Sequence, residues 1–201
     1  MKFDKNTKIK DFIMFLNITQ IEQKEFELFF DKIGNLTMPK KIAGKIMPEN
    51  LNFLTWAEFS ALNSITKTED LFFIPFEVLC KKKFLKWEFK PKRKRILKLK
   101  LFEVILLIKF IQKEIERIVK LFDKIQNNPT DDEIRAGINN LNFGLFGTLD
   151  WYCRRMGITD HKQGEKTLWI RIYKCLEIDN KTAKFERRLH DIINQKYKIK
   201  K

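Results

Sequence analysis

Apolar residues recur every three or four positions along most of this chain, and charged or polar residues stand between them. That spacing places the apolar side chains on one face of a helix, as in amphipathic helices that pack on a core. The pattern predicts helices over about residues 7–16, 20–33, 56–65, 69–80, 97–126, 131–142, 145–156, 165–178 and 181–196. Residues 36–53 contain two prolines and one glycine, so a short irregular or β-ribbon insertion is predicted there, with strands near 36–38 and 45–47.

Short motifs mark three of the predicted helix starts. Thr19, Thr55 and Thr130 are each followed three positions later by a glutamate, which is the spacing of a capping box. In that motif the hydroxyl accepts a hydrogen bond from an unpaired backbone N–H, and the glutamate reaches back to the cap. We therefore predict an all-α fold, an irregular multi-helix bundle with a helical hairpin over residues 1–35 and a main helical domain over 36–201.

Composition agrees with a helical fold. The 201 residues include 19 Phe but only 7 Gly and 5 Pro, so large apolar side chains are common and helix breakers are rare. Hydrophobic residues make up 44% of the chain, which is ordinary for a globular protein and too high for a disordered one. The most apolar stretch, residues 99–111, is interrupted by charged residues and is shorter than the roughly 20 apolar residues of a membrane span. We therefore predict no membrane span, and the charged start of the chain predicts no signal peptide.

Positive charge is concentrated in one segment. The formal net charge is +15, and residues 81–100 hold nine Lys and two Arg against a single Glu, a net charge of +10. Such a concentration indicates an anionic partner. Three interpretations stay open: nucleic acid bound through phosphate contacts and base stacking, an acidic protein surface, or a solvated face without a partner. The predicted contact residues are Lys81, Lys82, Lys83, Lys86, Trp87, Lys90, Lys92, Arg93, Lys94 and Arg95.

Two later segments combine aromatic residues with arginine. Residues 151–158 read WYCRRMGI and residues 169–176 read WIRIYKCL. Trp, Tyr and Arg are common anchors of protein interfaces, but the apolar members of these segments fit a helical core better. The predicted core residues are Trp151, Met156, Trp169, Ile172 and Leu176. The predicted interface residues are the surface arginines Arg154, Arg155 and Arg171.

Candidates for catalysis or metal binding are few. Three widely spaced cysteines and two histidines contain no CxxC motif, so we predict no metal site and no cofactor. A Cys–His dyad that joins Cys153 or Cys175 to His161 or His190 stays open, although no motif supports it. The glycines of residues 136–150 match neither common phosphate-binding motif and indicate a helix–turn–helix corner. We therefore predict no catalytic residues and no enzymatic activity.

Five segments of the chain form a series that carries a family resemblance. They are LTWAEF at 54–59, DLFFIPFEVL at 70–79, IERIVKLF at 115–122, AGINNLNFGLFGTLD at 136–150 and KCLEIDNKTAKFERRL at 174–189. Together they resemble small helical proteins from the structural modules of tailed bacteriophages, such as neck and tail components and tail-assembly chaperones. The resemblance covers about residues 50–190 and does not include the basic segment. It implies action through protein–protein contacts, and it carries over no catalytic residue.

The resemblance leads us to expect a non-enzymatic virion or virion-assembly protein of the neck or tail region, located in the virion or the host cytoplasm. Its expected partners are other phage structural proteins in an oligomeric assembly, with DNA as a further candidate for the basic segment. The alternative is a stand-alone nucleic-acid-binding protein, whose affinity would fall steeply with salt because each phosphate contact releases counterions.

Overall fold

The computed structural model describes residues 6–19, 41–42, 45–79, 93–125, 129–141 and 143–199. Most of these residues are helical, which confirms the predicted all-α class. The helices are α1 (Ile9–Thr19), α2 (Trp56–Asn63), α3 (Thr68–Leu79), α4 (Arg93–Ile96), α5 (Leu101–Asp123), α6 (Asp131–Arg135), α7 (Gly144–Met156), α8 (His161–Gly164) and α9 (Trp169–Ile199), with a 3₁₀ turn at Ile138–Asn140. A short antiparallel ribbon joins β1 (Lys41–Ile42) to β2 (Lys45–Ile46).

The chain divides into two compact units. Unit 1 comprises Met1–Leu51 and Ser60–Glu116, and unit 2 comprises Asn52–Phe59 and Arg117–Lys201. Both α2 and α5 begin in one unit and end in the other, so each unit is built from separate stretches of the chain. The predicted division into an N-terminal hairpin and a main domain stays a prediction, because the second helix of that hairpin lies outside the described residues.

In unit 1, α1 is attached by backbone hydrogen bonds to the segment that precedes α5. The N–H of Ile9 donates to the carbonyl of Leu99 at 3.2 Å. The N–H of Leu101 donates in the other direction, to the carbonyl of Thr7 at 2.8 Å. These bonds satisfy N–H groups at the starts of both helices, which have no acceptor within their own helix.

Apolar side chains from α1, α3 and α5 form the core of unit 1. Phe12 of α1 meets Phe72 of α3 edge to face, with ring centroids 6.1 Å apart. On α5 the consecutive residues 104–108 are all buried. Five consecutive residues cover all sides of a helix, so this part of α5 is enclosed, as predicted for a core helix. Within the described part of the chain, no helix combines the length and apolar character that crossing a membrane requires.

The ribbon of unit 1 pairs two short strands with only two residues between them. Ile42 of β1 is fully buried and so contributes to the core. The strand predicted near 45–47 is confirmed as β2, whereas its described partner is β1 rather than the predicted 36–38. The two strands pair antiparallel, with Lys41 opposite Ile46 and Ile42 opposite Lys45. Residues 36–38 lie outside the described part of the chain.

An aromatic cluster forms the centre of unit 2. Trp169, at the start of α9, is fully buried, and its ring centroid lies 6.2 Å from that of Phe122 and 6.5 Å from that of Phe59. Trp56 and Tyr173 each meet Phe122 edge to face, at 5.7 and 5.5 Å. The cluster therefore holds the start of α9 against the parts of α2 and α5 that belong to this unit.

Two of the three predicted capping boxes fall on described residues, and both are confirmed. At the start of α2, the N–H of Glu58 donates to Oγ1 of Thr55 at 3.3 Å, and the N–H of Thr55 donates to Oε2 of Glu58 at 2.8 Å. Thr130 and Glu133 make the same reciprocal pair at α6, and the bonds from Thr130 lower the pKa of the Glu133 carboxyl. The third predicted box continues beyond α1 into residues outside the described ranges.

Replacement of Thr55 by alanine is expected to lower the free energy of unfolding by about 1 kcal/mol, because the N–H of Glu58 loses its acceptor. Urea titration followed by far-UV circular dichroism measures the loss. Thr66→Ala is the matched control, since Thr66 is exposed and lies outside the helices; its expected effect is within about 0.5 kcal/mol. Equal losses in the two variants would contradict the capping role of Thr55.

The helix predicted over residues 131–142 is shorter in the structure and ends at Arg135. Gly137 follows with a φ of +85°, a left-handed conformation that a right-handed helix does not contain. The chain then makes the 3₁₀ turn before α7 begins. The predicted continuous helix is therefore wrong. A turn joins two helices here, as predicted, but the first helix ends before Gly137, and Gly144 begins α7 instead of ending a helix.

The two helices predicted over residues 165–178 and 181–196 are one helix, α9. Asp179 and Asn180 were expected to interrupt it, because both residue types favour caps and turns. In the structure Arg155 donates to both carboxylate oxygens of Asp179, and the amide of Asn180 donates to a backbone carbonyl at the end of α5. Their polar groups are thus bound to other elements of unit 2 while their backbone continues the helix.

Candidate protein-binding face

Three side chains of α7 line up on one face of unit 2. Phe146, Asp150 and Arg154 are four residues apart, which places them one above another along a helix. The helix ends at Gly157, whose φ of +67° is the left-handed conformation typical of a helix C-terminus. A neighbouring side of α7 is buried through Leu149, Tyr152 and Cys153. The core contacts therefore orient the line of three side chains outward.

His161 of α8 completes this face. The side chain of Asp160 caps the start of α8, and Nε2 of His161 lies 3.1 Å from Oδ1 of Asp150. The imidazole also lies against Phe146, with ring centroids 5.1 Å apart. Phe146, Asp150, Arg154 and His161 are called the α7 face below.

Gly164 allows α8 to pack closely on α7. The residue is buried, and a Cβ atom at this position would overlap Sγ of Cys153 and lie 3.2 Å from Cδ1 of Leu149. A larger residue would therefore force one of the two helices to shift. Close packing at Gly164 helps to keep His161, at the other end of α8, against α7.

Hydrogen bonds favour the charged form of Asp150. The bond from His161 contributes most, and the guanidinium of Arg154 adds a second contact, so the pKa of the Asp150 carboxyl is lowered. A lowered pKa means that these bonds stabilise the folded protein at pH values above the ordinary pKa of aspartate. That contribution is lost as the pH falls through the lowered pKa.

Cys153 lies behind the α7 face and does not have the properties of a nucleophile. Its side chain is buried, and burial raises the pKa of its thiol, whereas an activated cysteine has a lowered pKa. In a Cys–His dyad the histidine must act on an accessible thiol. The geometry therefore argues against the Cys153–His161 dyad. Among the residues that the structure describes, no group of three or more His, Cys, Asp and Glu side chains lies close enough to hold a metal ion.

Exposed apolar and basic groups lie together on the α7 face. The side chain of Phe146 is 60% exposed and that of Arg154 is 76% exposed. Leu141 and Phe143, just before α7, are also largely exposed. Exposed aromatic residues beside arginine are typical of protein interfaces, where they act as anchors in the centre of the contact. The chemistry of this face fits binding of a protein surface better than binding of a small polar ligand.

The three predicted interface arginines have different surroundings. Arg154 is part of the α7 face, and Arg171 is exposed near the start of α9. Arg155 instead donates two hydrogen bonds to Asp179, at 2.9 and 3.0 Å, and these bonds raise its pKa. Arg155 therefore connects α7 to α9 within unit 2, whereas Arg154 pairs with Asp150 of its own helix and Arg171 is exposed.

The predicted core residues near these arginines are only partly buried. Trp169 and Ile172 are fully buried, as predicted. Trp151 and Leu176 are partly exposed, and Met156, the last residue of α7, is 39% exposed. The prediction is wrong for Met156, because the helix ends there and its side chain lies beyond the packed part of α7.

Seven of the predicted basic-segment residues lie outside the described residues: Lys81, Lys82, Lys83, Lys86, Trp87, Lys90 and Lys92. The remaining three, Arg93, Lys94 and Arg95, form the exposed part of α4. The guanidinium of Arg93 lies over the ring of Phe73, 4.4 Å from its centroid. Arg93 also lines a surface pocket together with Asp70 and Glu77. Lys94 and Arg95 therefore provide most of the described positive surface of α4.

Phe146, Asp150 and His161 were not predicted to lie on a shared surface. The four-residue spacing from Phe146 to Arg154 is a signal that could have identified the helical part. The position of His161 depends instead on the turn after α7 and on the close contact at Gly164, and no motif in the sequence indicates that contact.

Comparison with known proteins finds no relative of this chain. No protein-family model, curated protein or solved structure matches the chain. The functional proposal therefore rests on the surface chemistry of unit 2 and on the sequence resemblance described above.

Proposed function

We propose that this chain is an assembly protein without enzymatic activity, which acts by binding other proteins in the virion of a tailed bacteriophage or during virion assembly. The observation that carries the proposal is the α7 face, where the exposed ring of Phe146 and the exposed guanidinium of Arg154 lie about two helical turns apart along one side of the helix. Its partner is a protein surface that combines an apolar pocket for Phe146 with acidic groups for Arg154.

Charge supports an acidic partner. The whole chain carries a formal charge of +15, so an acidic protein is attracted to it at long range and a basic one is repelled. Tailed-phage neck and tail proteins are the class that the five resembling segments indicate. Proteins of that class work in oligomeric assemblies, which agrees with the α7 face as a surface suited to protein binding instead of catalysis.

Gradient sedimentation of virion assembly products tests this proposal. Cells that produce the virus are lysed, treated with nuclease and fractionated, and the chain is detected with an antibody. We expect it to sediment with particles or incomplete heads and tails, and we expect Phe146→Ser to move most of it to the top fractions. Lys162→Ser, an exposed change on neighbouring α8, is the matched control and should sediment like the intact chain. Intact chain found only in the top fractions would overturn the proposal.

Nucleic-acid binding is the second candidate function, and the exposed basic residues of α4 favour it. Lys94 and Arg95 are followed by exposed Lys98 and Lys100, so at least four cations lie within seven residues. This arrangement can follow a phosphate backbone, although the carboxylates beside Arg93 reduce the local positive potential.

A salt series of fluorescence anisotropy with a short DNA duplex separates the two functions. If DNA is the partner, the affinity should fall steeply with salt, with a slope that corresponds to roughly four or more phosphate contacts. Lys94→Ser/Arg95→Ser/Lys98→Ser should then reduce that slope by about 2 to 3. Lys113→Ser/Lys120→Ser/Lys124→Ser removes three exposed lysines of α5 and its following turn as the matched control. The proposed assembly function predicts the same weak binding for all three proteins near physiological salt.

A further inference from the structure

The C-terminal half of α9 extends beyond the packed part of unit 2. The helix is 31 residues long, and its first part is held by buried Trp169 and Ile172 and by the bonds to Asp179 and Asn180. From residue 181 to residue 197 nearly every side chain is exposed. An isolated helix of this length is marginal in water, so this half needs a further contact to be stable.

Large apolar side chains recur along this exposed half at heptad spacing. Phe185 is 58% exposed and Ile192, seven residues later, is 51% exposed. With the usual heptad letters, Ile178, Phe185 and Ile192 occupy the d positions, and Thr182, Leu189 and Lys196 occupy the a positions. Alternation of three and four residues between apolar positions is the pattern of a coiled-coil seam. These six residues are called the α9 seam below.

The α9 seam faces away from the nearest helix of its own unit. Arg187 donates to Glu133 of α6 at 3.2 Å, so this side of α9 faces α6. Each residue turns a helix by about 100°, so Phe185 and Leu189 lie roughly 160° away from Arg187. The seam is thus open to a partner while the opposite side of α9 remains in contact with unit 2.

Charged residues beside the α9 seam indicate that the partner is a second copy of this chain and that the two helices run parallel. Lys181 and Arg188 occupy g positions, and Glu186 occupies the following e position. In a parallel pair each g residue meets the e residue five positions later in the other helix, so Lys181 meets the second copy's glutamate at position 186. In an antiparallel pair each g position meets a g position of the other helix, and each e position meets an e position. The basic g residues Lys181 and Arg188 of the two copies would then face each other and repel. Lys181 also contacts Glu177 at 3.0 Å, and its three donors allow both contacts.

We propose that two copies of this chain associate through residues 178–197 of α9 as a parallel two-stranded coiled coil. Lys196 at an a position supports this number of strands, because a single lysine or asparagine in the seam specifies register and oligomeric state at some cost in stability. The inference goes beyond the proposed function, since it concerns a different surface from the α7 face and a different partner.

Light scattering coupled to size exclusion tests the association. We expect the intact chain to have twice the 24.3 kDa mass of one copy at micromolar concentrations. Phe185→Glu/Leu189→Glu should raise the dissociation constant by at least about 100-fold, because the seam would then bury unpaired carboxylates. His190→Glu/Asn194→Glu adds two carboxylates at the same four-residue spacing on the side of α9 that faces away from the seam. This control variant should remain dimeric. An intact chain that is monomeric at every concentration would overturn the proposal, as would a seam variant that stays dimeric.

Exchange of the flanking charges tests the direction. In the parallel arrangement Lys181→Glu should weaken the dimer, because it places two glutamates in contact, and Lys181→Glu/Glu186→Lys should restore it. In an antiparallel arrangement Lys181→Glu should instead strengthen the dimer. That second result would overturn the parallel arrangement. A monomer that still sediments with virion assembly products would refute the dimer and leave the proposed function intact.

Discussion

Trp169→Ala is expected to lower the free energy of unfolding by about 3–5 kcal/mol, the usual cost of removing a buried tryptophan. The indole is fully buried and touches the rings of Phe59, Phe122 and Tyr173. Its removal leaves a cavity where α9 begins, and the guanidinium of Arg117 loses the ring 5.9 Å away. Because typical domains are stable by only about 5–15 kcal/mol, this variant should show a large fall in its urea midpoint.

Tyr197→Ala is the matched control for Trp169→Ala. It removes another aromatic ring from the same helix, but this ring is largely exposed, so a change within about 0.5 kcal/mol is expected. Urea titrations of the two variants, followed by circular dichroism, measure the difference at a protein concentration held constant. A small effect of Trp169→Ala would contradict the aromatic cluster as the centre of unit 2.

Phe72→Ala, in unit 1, should lower the free energy of unfolding by a similar amount, about 3–5 kcal/mol. Phe72 is fully buried in α3 and meets Phe12 edge to face, so the truncation removes both buried area and an aromatic contact. Hydrogen exchange should show faster exchange in α1 and α3. Met14→Ala removes an exposed side chain from α1 and should leave exchange unchanged. Unchanged protection of α1 in Phe72→Ala would show that Phe72 does not hold this helix.

Features that depend on neighbouring residues could be predicted from the sequence. The capping boxes at Thr55 and Thr130 are examples, because the hydroxyl and the glutamate belong to the same turn. The amphipathic patterns of α1, α3 and α5 likewise predict which side of each helix packs against apolar neighbours. Most helix positions follow from such local signals, which explains why the all-α class was predicted correctly.

Features that depend on distant residues could not be predicted in the same way. Asp179 and Asn180 favoured a helix break in the sequence. In the structure Arg155 binds the side chain of Asp179, the carbonyl of Ile125 beyond the end of α5 accepts a hydrogen bond from Asn180, and α9 continues. Arg155 was predicted to be an interface residue because its hydrogen-bond partner, Asp179, is 24 residues away in the chain and could not be recognised from the sequence. Neither contact has a motif that reveals it.

The two surfaces differ in how far the sequence predicts them. The α9 seam is a repeat within one helix, and all of its residues except Ile178 lie in the helix predicted over residues 181–196. The α7 face needs the fold, because His161 joins Phe146 and Asp150 only through the packing of α8 on α7. The predicted contact residues between Lys81 and Lys92 stay a prediction, since they lie outside the described residues.

Complementation of a gene deletion measures most directly whether this chain assembles virions through protein contacts. A phage that lacks the gene is grown in cells that supply the intact chain, Phe146→Ser, or the control Lys162→Ser. We predict that the intact chain and the control restore the yield of infectious particles, whereas Phe146→Ser leaves incomplete heads or tails. A normal yield from the deleted phage without any supplied chain would contradict the assembly function.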